Sequence, residues 1–392
     1  MLEERHIDVV KSTIPLLESA GPALTQHFYQ RMFDHNPELK DIFNMSHQRT
    51  GRQGVALFEA VAAYAKNIDN LGALTTAVER IAHKHTSFNI QAEHYQIVGH
   101  HLIETLRELA SDAFTKDVEE AWTAAYLFLA KIFIDREGEL YLQRRQAVGG
   151  WHAARDFVVA DKKAESEFVT SFHLRPTDSN AVLDFEPGQY IGLEVKPSNE
   201  GYNEIRQYSL SHCPNGSQYR ISVKREQNEG HHGVVSNYLH DEVNVGDTVK
   251  LHAPAGDFFY VEKSRPVALL SAGVGATPMQ AMLHHLAERE KQSVTYLYAC
   301  KNAAQHTFVS ETAEIIAEQD WQQFSWYEEG TGADFNGQMQ LGEVQAYLPI
   351  SDGDFYLCGP MGFMTSVVAQ LEALGVTRDR IHYEVFGPHA SL

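Results

Sequence analysis

Gln146-Ala147-Val148-Gly149-Gly150-Trp151-His152-Ala153-Ala154-Arg155-Asp156-Phe157-Val158-Val159-Ala160 is where the chain changes texture, with the boundary at Gly149-Gly150-Trp151. Upstream, apolar residues recur at three and four: Leu57, Val61 and Tyr64; Leu74, Val78 and Ile81; Tyr95, Val98 and Leu102; Tyr126, Ala130 and Phe133. That is the period of helices with one buried face. Breaks fall at Gly21-Pro22, at Asn36-Pro37, near Asn70 and around Ser111-Asp112, where turn formers interrupt the pattern. The spacing predicts six or seven helices and no strand.

Downstream, short β-type runs follow: Asp156–Ala160, Phe168–Leu174, Tyr190–Val195, Gln207–Leu210, Tyr219–Lys224 and Thr248–Leu251. Turns such as Glu186-Pro187-Gly188 and Pro214-Asn215-Gly216 separate them, a spacing that predicts a small antiparallel barrel. From Pro266 apolar strands alternate with helices. The strands are Val267–Leu270, Val294–Tyr298, Phe324–Tyr327 and Phe355–Cys358, and the helices include Met279–Arg289 and Gly362–Leu374. Alternation of that kind signals a parallel sheet with crossover helices. The fold class expected is multidomain, with an all-α domain over 1–147, an antiparallel barrel over 151–263 and an α/β parallel-sheet domain over 264–392.

The 392 residues are 43% hydrophobic and 21% charged, a globular composition that excludes disorder and collagen-like repeats. No run reaches the ~18 to 20 apolar residues of a membrane span. Charges in Met1-Leu2-Glu3-Glu4-Arg5 stand where a signal peptide has its apolar segment. A cytoplasmic chain without stable membrane association is expected. With 52 acidic residues against 32 basic, the formal net charge is −20. Nucleic acid is thus a poor partner, since phosphates would be repelled. Cys213, Cys300 and Cys358 are too scattered for a disulfide framework or a CxxC metal site.

Histidine is abundant, at 21. His83 and His85 lie about 200° apart around a helix, so they cannot chelate one ion together. The pairs His231-His232 and His284-His285 also diverge. His85, however, continues the apolar stripe of Leu74, Val78 and Ile81. Tyr29 lies one turn before Phe33, Gln53 heads the stripe of Leu57, Val61 and Tyr64, and Glu137 closes the stripe of Tyr126, Ala130 and Phe133. A polar tip aimed unpaired at a core costs on the order of 1–3 kcal/mol. Several such tips on separate helices imply that the core holds something polar, such as a metal centre with a bound ligand.

Three motifs mark the barrel: Pro187-Gly188-Gln189-Tyr190, Arg206-Gln207-Tyr208-Ser209-Leu210 and Gly233-Val234-Val235-Ser236-Asn237-Tyr238-Leu239. In the α/β part, Gly273-Val274-Gly275-Ala276-Thr277-Pro278 joins a strand to a helix. Such a turn lets backbone N–H groups approach a dinucleotide, although the third glycine of GxGxxG is absent. Cys358-Gly359-Pro360 ends a later strand, and Glu384-Val385-Phe386-Gly387-Pro388-His389 lies close to the end of the sequence.

The stretch Asn36-Pro37-Glu38-Leu39-Lys40-Asp41-Ile42-Phe43-Asn44-Met45-Ser46, followed by Lys84-His85-Thr86-Ser87-Phe88, resembles the globin domain of bacterial flavohaemoglobins. The later motifs resemble the flavin and nicotinamide domains of the ferredoxin–NADP reductase superfamily. The resemblance spans the whole chain and implies haem b, FAD and NAD(P)H as cofactors. It makes His85 the haem-iron ligand, Phe43 the aromatic wedged against the porphyrin and Leu57 a haem-pocket residue. Tyr29 and Gln53 become the distal residues, donors toward bound dioxygen, and Tyr95 and Glu137 the proximal network.

By the same resemblance Arg206 pairs with the flavin phosphates, and Tyr190 and Gln207 stand among the flavin-binding residues. Tyr208 packs on the isoalloxazine, Ser209 lies near its reactive nitrogen and Ser236 caps a helix facing the pyrophosphate. Residues 273–278 and 358–360 form the nicotinamide site. Phe386 covers the flavin face, flanked by Val385, Gly387 and Pro388, while Glu384 reaches toward Lys84.

The activity implied is an NAD(P)H-dependent nitric oxide dioxygenase, a monomer whose partners are O₂, NO and NAD(P)H. Its rivals are a hydroperoxide reductase or diaphorase and a haem gas sensor. Ala299-Cys300-Lys301-Asn302 offers no acid for a ribose diol and one lysine for a phosphate, which leaves NADH and NADPH both open.

Overall fold

The computed structural model describes residues 2–43, 45, 52–198, 200–228, 231–289 and 292–387. The chain divides into two compact units, Met1–Ala147 with Glu194–Arg206, and Val148–Leu193 with Gln207–Leu392.

The first unit is helical: α1 (Glu4–Ser12), α2 (Ile14–His35), α3 (Arg52–Lys66), α4 (Thr75–Ser87), α5 (Ala92–Leu109) and α6 (Lys116–Gln146). Among the described residues of 1–147 no strand forms. The starts have local causes. Glu3 and His6 form a capping box at α1, Gln91 and His94 do the same at α5, and the Thr115 hydroxyl accepts from the Val118 N–H at α6, satisfying donors that a helix leaves unpaired. The break expected at Gly21-Pro22 is a kink inside α2. Gly21 takes φ 54 and ψ −149 there, a conformation open to glycine.

Among the described residues of this unit, apolar side chains form two clusters. One contains Phe28, Tyr29, Phe33, Tyr64, Leu102 and Trp122, with Phe43 and Leu57 packed against it. The other contains Ala82, Phe133 and Leu140, with Val78, Ile81 and Tyr95 packed against it. Leu129 packs against both.

The second unit holds most of an antiparallel sheet. Its strands are β1 (Arg155–Ala164), β2 (Val169–Pro176), β3 (Tyr190–Val195), β4 (Glu204–Ser209), β5 (Tyr219–Lys224) and β8 (Thr248–Leu251), in the order β4-β3-β8-β1-β2-β5. Leu210, just past β4, bridges Ile221 of β5. The two ends of the order therefore meet, and the sheet closes into the expected barrel. Between the barrel strands lie a short hairpin, β6 (Gln227–Asn228) and β7 (His231–His232), and the helix α7 (Val234–Asp241).

A second sheet follows, wholly parallel, in the order β12-β11-β10-β9-β13-β14. Its strands are β9 (Val267–Ala272), β10 (Val294–Cys300), β11 (Gln322–Tyr327), β12 (Phe335–Asn336), β13 (Asp354–Cys358) and β14 (Ile381–Glu384). The crossover helices are α8 (Ala276–Arg289), α9 (Val309–Gln319) and α10 (Met361–Ala373). Leu269, Tyr296 and Tyr356 pack on one face with Met282 and Ile316. Their neighbours Leu270, Leu297 and Leu357 pack on the other with Val367 and Leu371. Both faces are covered, which is why these strands read as unbroken apolar runs.

Candidate functional site

In the helical unit, α4, α5 and α6 bring His85, Tyr95 and Glu137 together. Glu137 is 2% exposed, so its carboxylate has left water and needs partners. His85 Nδ1 lies 2.7 Å from Glu137 Oε1 and 2.9 Å from the Tyr95 hydroxyl. The Tyr95 hydroxyl donates to the same Oε1 at 2.6 Å. An ionised carboxylate only accepts, so the imidazole proton sits on Nδ1 and the lone pair on Nε2. Nε2 makes no hydrogen bond among the described residues, and the ring packs against Phe133 at 5.7 Å. Burial, and then the Glu137 charge, holds the Tyr95 phenol far above its ordinary pKa, so Tyr95 stays a donor. Gly99 lets α5 approach α6, because a Cβ there would collide with the Tyr126 ring.

The other apolar cluster carries Tyr29, which is 7% exposed. Its ring stacks on Phe33 at 5.9 Å and meets Phe43 edge-on at 5.9 Å. Leu57, on α3, is half-buried against the same cluster. Gln53 belongs to α3, but its side chain lies outside the described residues. Lys84 precedes His85 on α4. A half-buried imidazole with an open lone pair beside one cluster, and a buried phenol in the other, are residues that fit a haem.

On β4, Gln207 and Tyr208 are half-buried and Ser209 is buried. Arg206 ion-pairs at 2.6 Å with Glu204, whose side chain is fully buried. It also donates to the Ile205 carbonyl at 2.8 Å. The guanidinium expected to meet phosphate is thus already fixed by a neighbour on its own face of the strand. Tyr190 pairs with Ala255 through both backbone groups, at 2.9 and 2.8 Å. Gly188, with φ 115, leaves no room for a Cβ beside Phe258 and Phe259.

Ser236 requires a correction. The residue capping α7 is Gly233, and Ser236 lies inside the first turn. Its hydroxyl donates to the Gly233 carbonyl and accepts from the Glu226 N–H, both at 3.3 Å. Glycine supplies no side-chain acceptor, so among the described residues no side chain caps the first N–H groups of α7, and a helix start of that kind can receive an anion such as a dinucleotide phosphate.

In the parallel sheet the chain runs outward from β9 in both directions, so β9 and β13 flank the switch point where open α/β sheets take ligands. Gly273 (φ 54) and Gly275 form a short 3-10 turn before α8. A Cβ on Gly275 would overlap the Cys358 carbonyl and the Gly359 nitrogen. The two sequence motifs are therefore pressed into one site. Thr277 donates to the Val274 carbonyl at 2.9 Å, and Ala276 and Pro278 are buried in α8.

A cavity of about 340 Å³ opens here, lined by Gly273, Val274 and Pro360 among others. Lys301, Gln305, Thr307, Glu328 and Phe363 line it too. Except for Lys301, these residues carried no motif in the sequence: Gln305, Thr307 and Glu328 stand between the regular strands and helices, and Phe363 is in the first turn of α10. The cavity and the glycine turn fit a nicotinamide dinucleotide.

Glu384 closes β14 and Val385 is buried, whereas Phe386 is 45% exposed and Gly387 takes φ 124. Pro388 lies outside the described residues. No described helix is long and apolar enough to cross a membrane.

Three family models match the chain in succession. The globin family matches residues 26–132, the oxidoreductase FAD-binding domain residues 156–260 and the oxidoreductase NAD-binding domain residues 269–369. A flavohemoglobin from Malassezia yamatoensis, solved with bound FAD and heme, superposes with a TM-score of 0.88 at 26% identity, covering 98% of this chain and all of that one. The flavohem-like FAD/NAD-binding domain of nitric oxide dioxygenase from Vibrio cholerae O1 biovar El Tor is 63% identical, with a TM-score of 0.58. It covers 60% of this chain and 99% of that one.

The flavohemoprotein of Vibrio cholerae serotype O1 is 70% identical over 394 residues, covering both chains end to end. Haem, FAD and a nicotinamide dinucleotide are accordingly the cofactors, as the site geometry allows. An identity that high over the whole of both chains leaves one assignment: this chain belongs to the flavohemoproteins.

Proposed function

We propose that the chain is an NAD(P)H-dependent nitric oxide dioxygenase, built from modules 1–147, 151–263 and 264–392, that removes nitric oxide as nitrate. In balance, one NAD(P)H, two NO and two O₂ give NAD(P)⁺, two nitrates and one proton. The observation that carries the reading is the buried Glu137 carboxylate on His85 Nδ1, 2.7 Å away. When bound, the flavin divides a hydride into single electrons and the haem iron supplies the one-electron centre at which oxygen chemistry occurs.

The protein's own residues do the rest. His85 presents Nε2 as a neutral donor, and Glu137 makes that nitrogen more basic by pulling on the Nδ1 proton. Tyr95 keeps the carboxylate from rotating. Tyr29 offers a phenol donor from the opposite cluster, with Gln53 as second donor, while Phe43 and Leu57 keep the pocket apolar. Tyr208 and Ser209 bind the flavin, and the Gly273–Gly275 turn with Cys358–Pro360 admits the dinucleotide. The Vibrio cholerae domain that is 63% identical, described as part of a nitric oxide dioxygenase, supports the same activity.

The test is nitrate formed per NADH oxidised, in air with nitric oxide, by the full chain. His85→Ala should abolish it and Tyr29→Phe should reduce it. Unchanged nitrate in both variants, or a faster turnover of hydroperoxides than of nitric oxide, overturns the proposal.

A further inference from the structure

Apart from the haem, flavin and nicotinamide sites, three side chains in the second unit converge. His212 lies just past β4, His284 on α8 and Glu311 on α9. The two imidazoles stack with centroids 4.1 Å apart and planes inclined by 26°. His284 Nε2 lies 2.7 Å from Glu311 Oε1. One ligand atom from each of the three fits within 4.8 Å of the other two, and all three residues are half-buried. The neighbouring His285 turns away and packs on Tyr260, so a single imidazole of the His284-His285 pair joins the cluster.

We propose that His212, His284 and Glu311 form a binding site for a divalent transition-metal ion, with zinc as the fitting occupant. Two imidazole nitrogens and one carboxylate oxygen are a ligand set that zinc accepts, with a fourth position open to water. The ion takes the place of the hydrogen bond between His284 Nε2 and Glu311 Oε1.

Arg220 decides how tightly. It is 6% exposed, and its Nη1 donates to both Glu311 oxygens, at 2.8 and 3.1 Å. The guanidinium holds the carboxylate in one orientation, as outer partners of metal ligands do, and it also sets a positive charge near the ion. Glu288 offsets that charge. It lies one turn past His284 on α8, and the Cys213 thiol next to His212 donates to it at 3.0 Å.

His212 belongs to the barrel, whereas α8 and α9 cover the parallel sheet. A bound ion therefore staples the two sheets of this unit together, and α8 is the helix that begins at the Gly273 turn.

The experiment is calorimetric titration of the chelator-treated full-length protein with zinc chloride. One micromolar site is expected, weakened at least tenfold in His212→Ala and in His284→Gln. A His35→Ala/His100→Ala double variant removes two members of another imidazole group, around His101, and should bind as the wild type does. Zinc-edge absorption of the loaded wild type should show two imidazole ligands. His284→Gln keeps an amide donor toward Glu311, and far-UV circular dichroism checks that the variants are folded. His212→Gln replaces any variant that is not. Three results overturn the proposal: no binding by the wild type, equal binding in the folded His212 and His284 variants, or loss of the site in the His35/His100 variant instead.

Discussion

Glu137 Oε1 sits 2.7 Å from His85 Nδ1, across 52 residues of sequence. The same oxygen accepts the Tyr95 hydroxyl at 2.6 Å, so one buried atom fixes three helices. A carboxylate that accepts twice in a low-dielectric site is held strongly and keeps its charge directed at the imidazole. The helical unit thereby produces an imidazole of fixed tautomer, aimed by its rear nitrogen.

Replacing Glu137 by Gln should separate charge from shape. The amide oxygen still accepts from one donor, but the negative charge is lost. Outer partners of metal-ligating histidines typically contribute 10- to 100-fold to activity, so nitric oxide turnover should fall by about that factor. The iron–histidine stretching frequency in resonance Raman should fall with it. An unchanged frequency would show that Glu137 exerts no pull on His85.

Tyr29→Phe removes one buried donor and leaves the ring packing on Phe33 and Phe43 intact. Loss of a single hydrogen bond of about 1–2 kcal/mol should speed dioxygen release by roughly 5- to 30-fold. Stopped-flow release rates check this. A rate equal to that of the wild type would take Tyr29 out of the distal role.

The elements that were legible in the sequence are those with long periodic runs. The stripe ending in Glu137 predicted α6, and the unbroken apolar runs predicted β9, β10 and β13. Helix α9 and strand β14 carry weaker patterns and are held by the parallel sheet, α9 by packing on its face and β14 by pairing with β13. The polar tips of His85, Tyr29 and Glu137 were readable because each interrupts an apolar stripe. Thr307, Glu328 and Phe363 reach the cavity beside the Gly273 turn through loops and a helix start, where no period exists to betray them. The position of Ser236 was misjudged because serine is a good cap in general, whereas here its hydroxyl turns back to Gly233.

Gly275→Ala tests the join between the two nicotinamide motifs. The new Cβ would overlap backbone atoms of Cys358 and Gly359, which cannot rotate away as a side chain could. Overpacking of this kind costs about 1–3 kcal/mol, so the urea midpoint of the second unit should drop. The KM for NADH in ferricyanide reduction should rise as β9 and β13 are forced apart at the switch point. A normal midpoint with a normal KM would mean that the turn has slack.

His306 sets a pH dependence near the same cavity. Its ring stacks on Tyr298 at 4.4 Å, and Nδ1 lies 2.8 Å from the Tyr327 hydroxyl. Burial pushes the imidazole from its ordinary 6.5 down to about 4, with the Asp334 charge opposing. The folded chain therefore refuses a proton that the unfolded chain takes up below pH 6.5. Stability from this group is intact above that pH and is lost as pH falls from 6.5 to 4, by up to about 3 kcal/mol. Other buried imidazoles such as His101, also lowered to about 4, add to the total slope, so the readout is a difference between proteins. His306→Asn, which keeps a polar group without a proton to gain, should give a urea midpoint that falls less steeply than that of the wild type between pH 6.5 and 4. The two curves should run parallel above pH 7. Parallel curves throughout would mean that His306 titrates equally in the folded and unfolded chain.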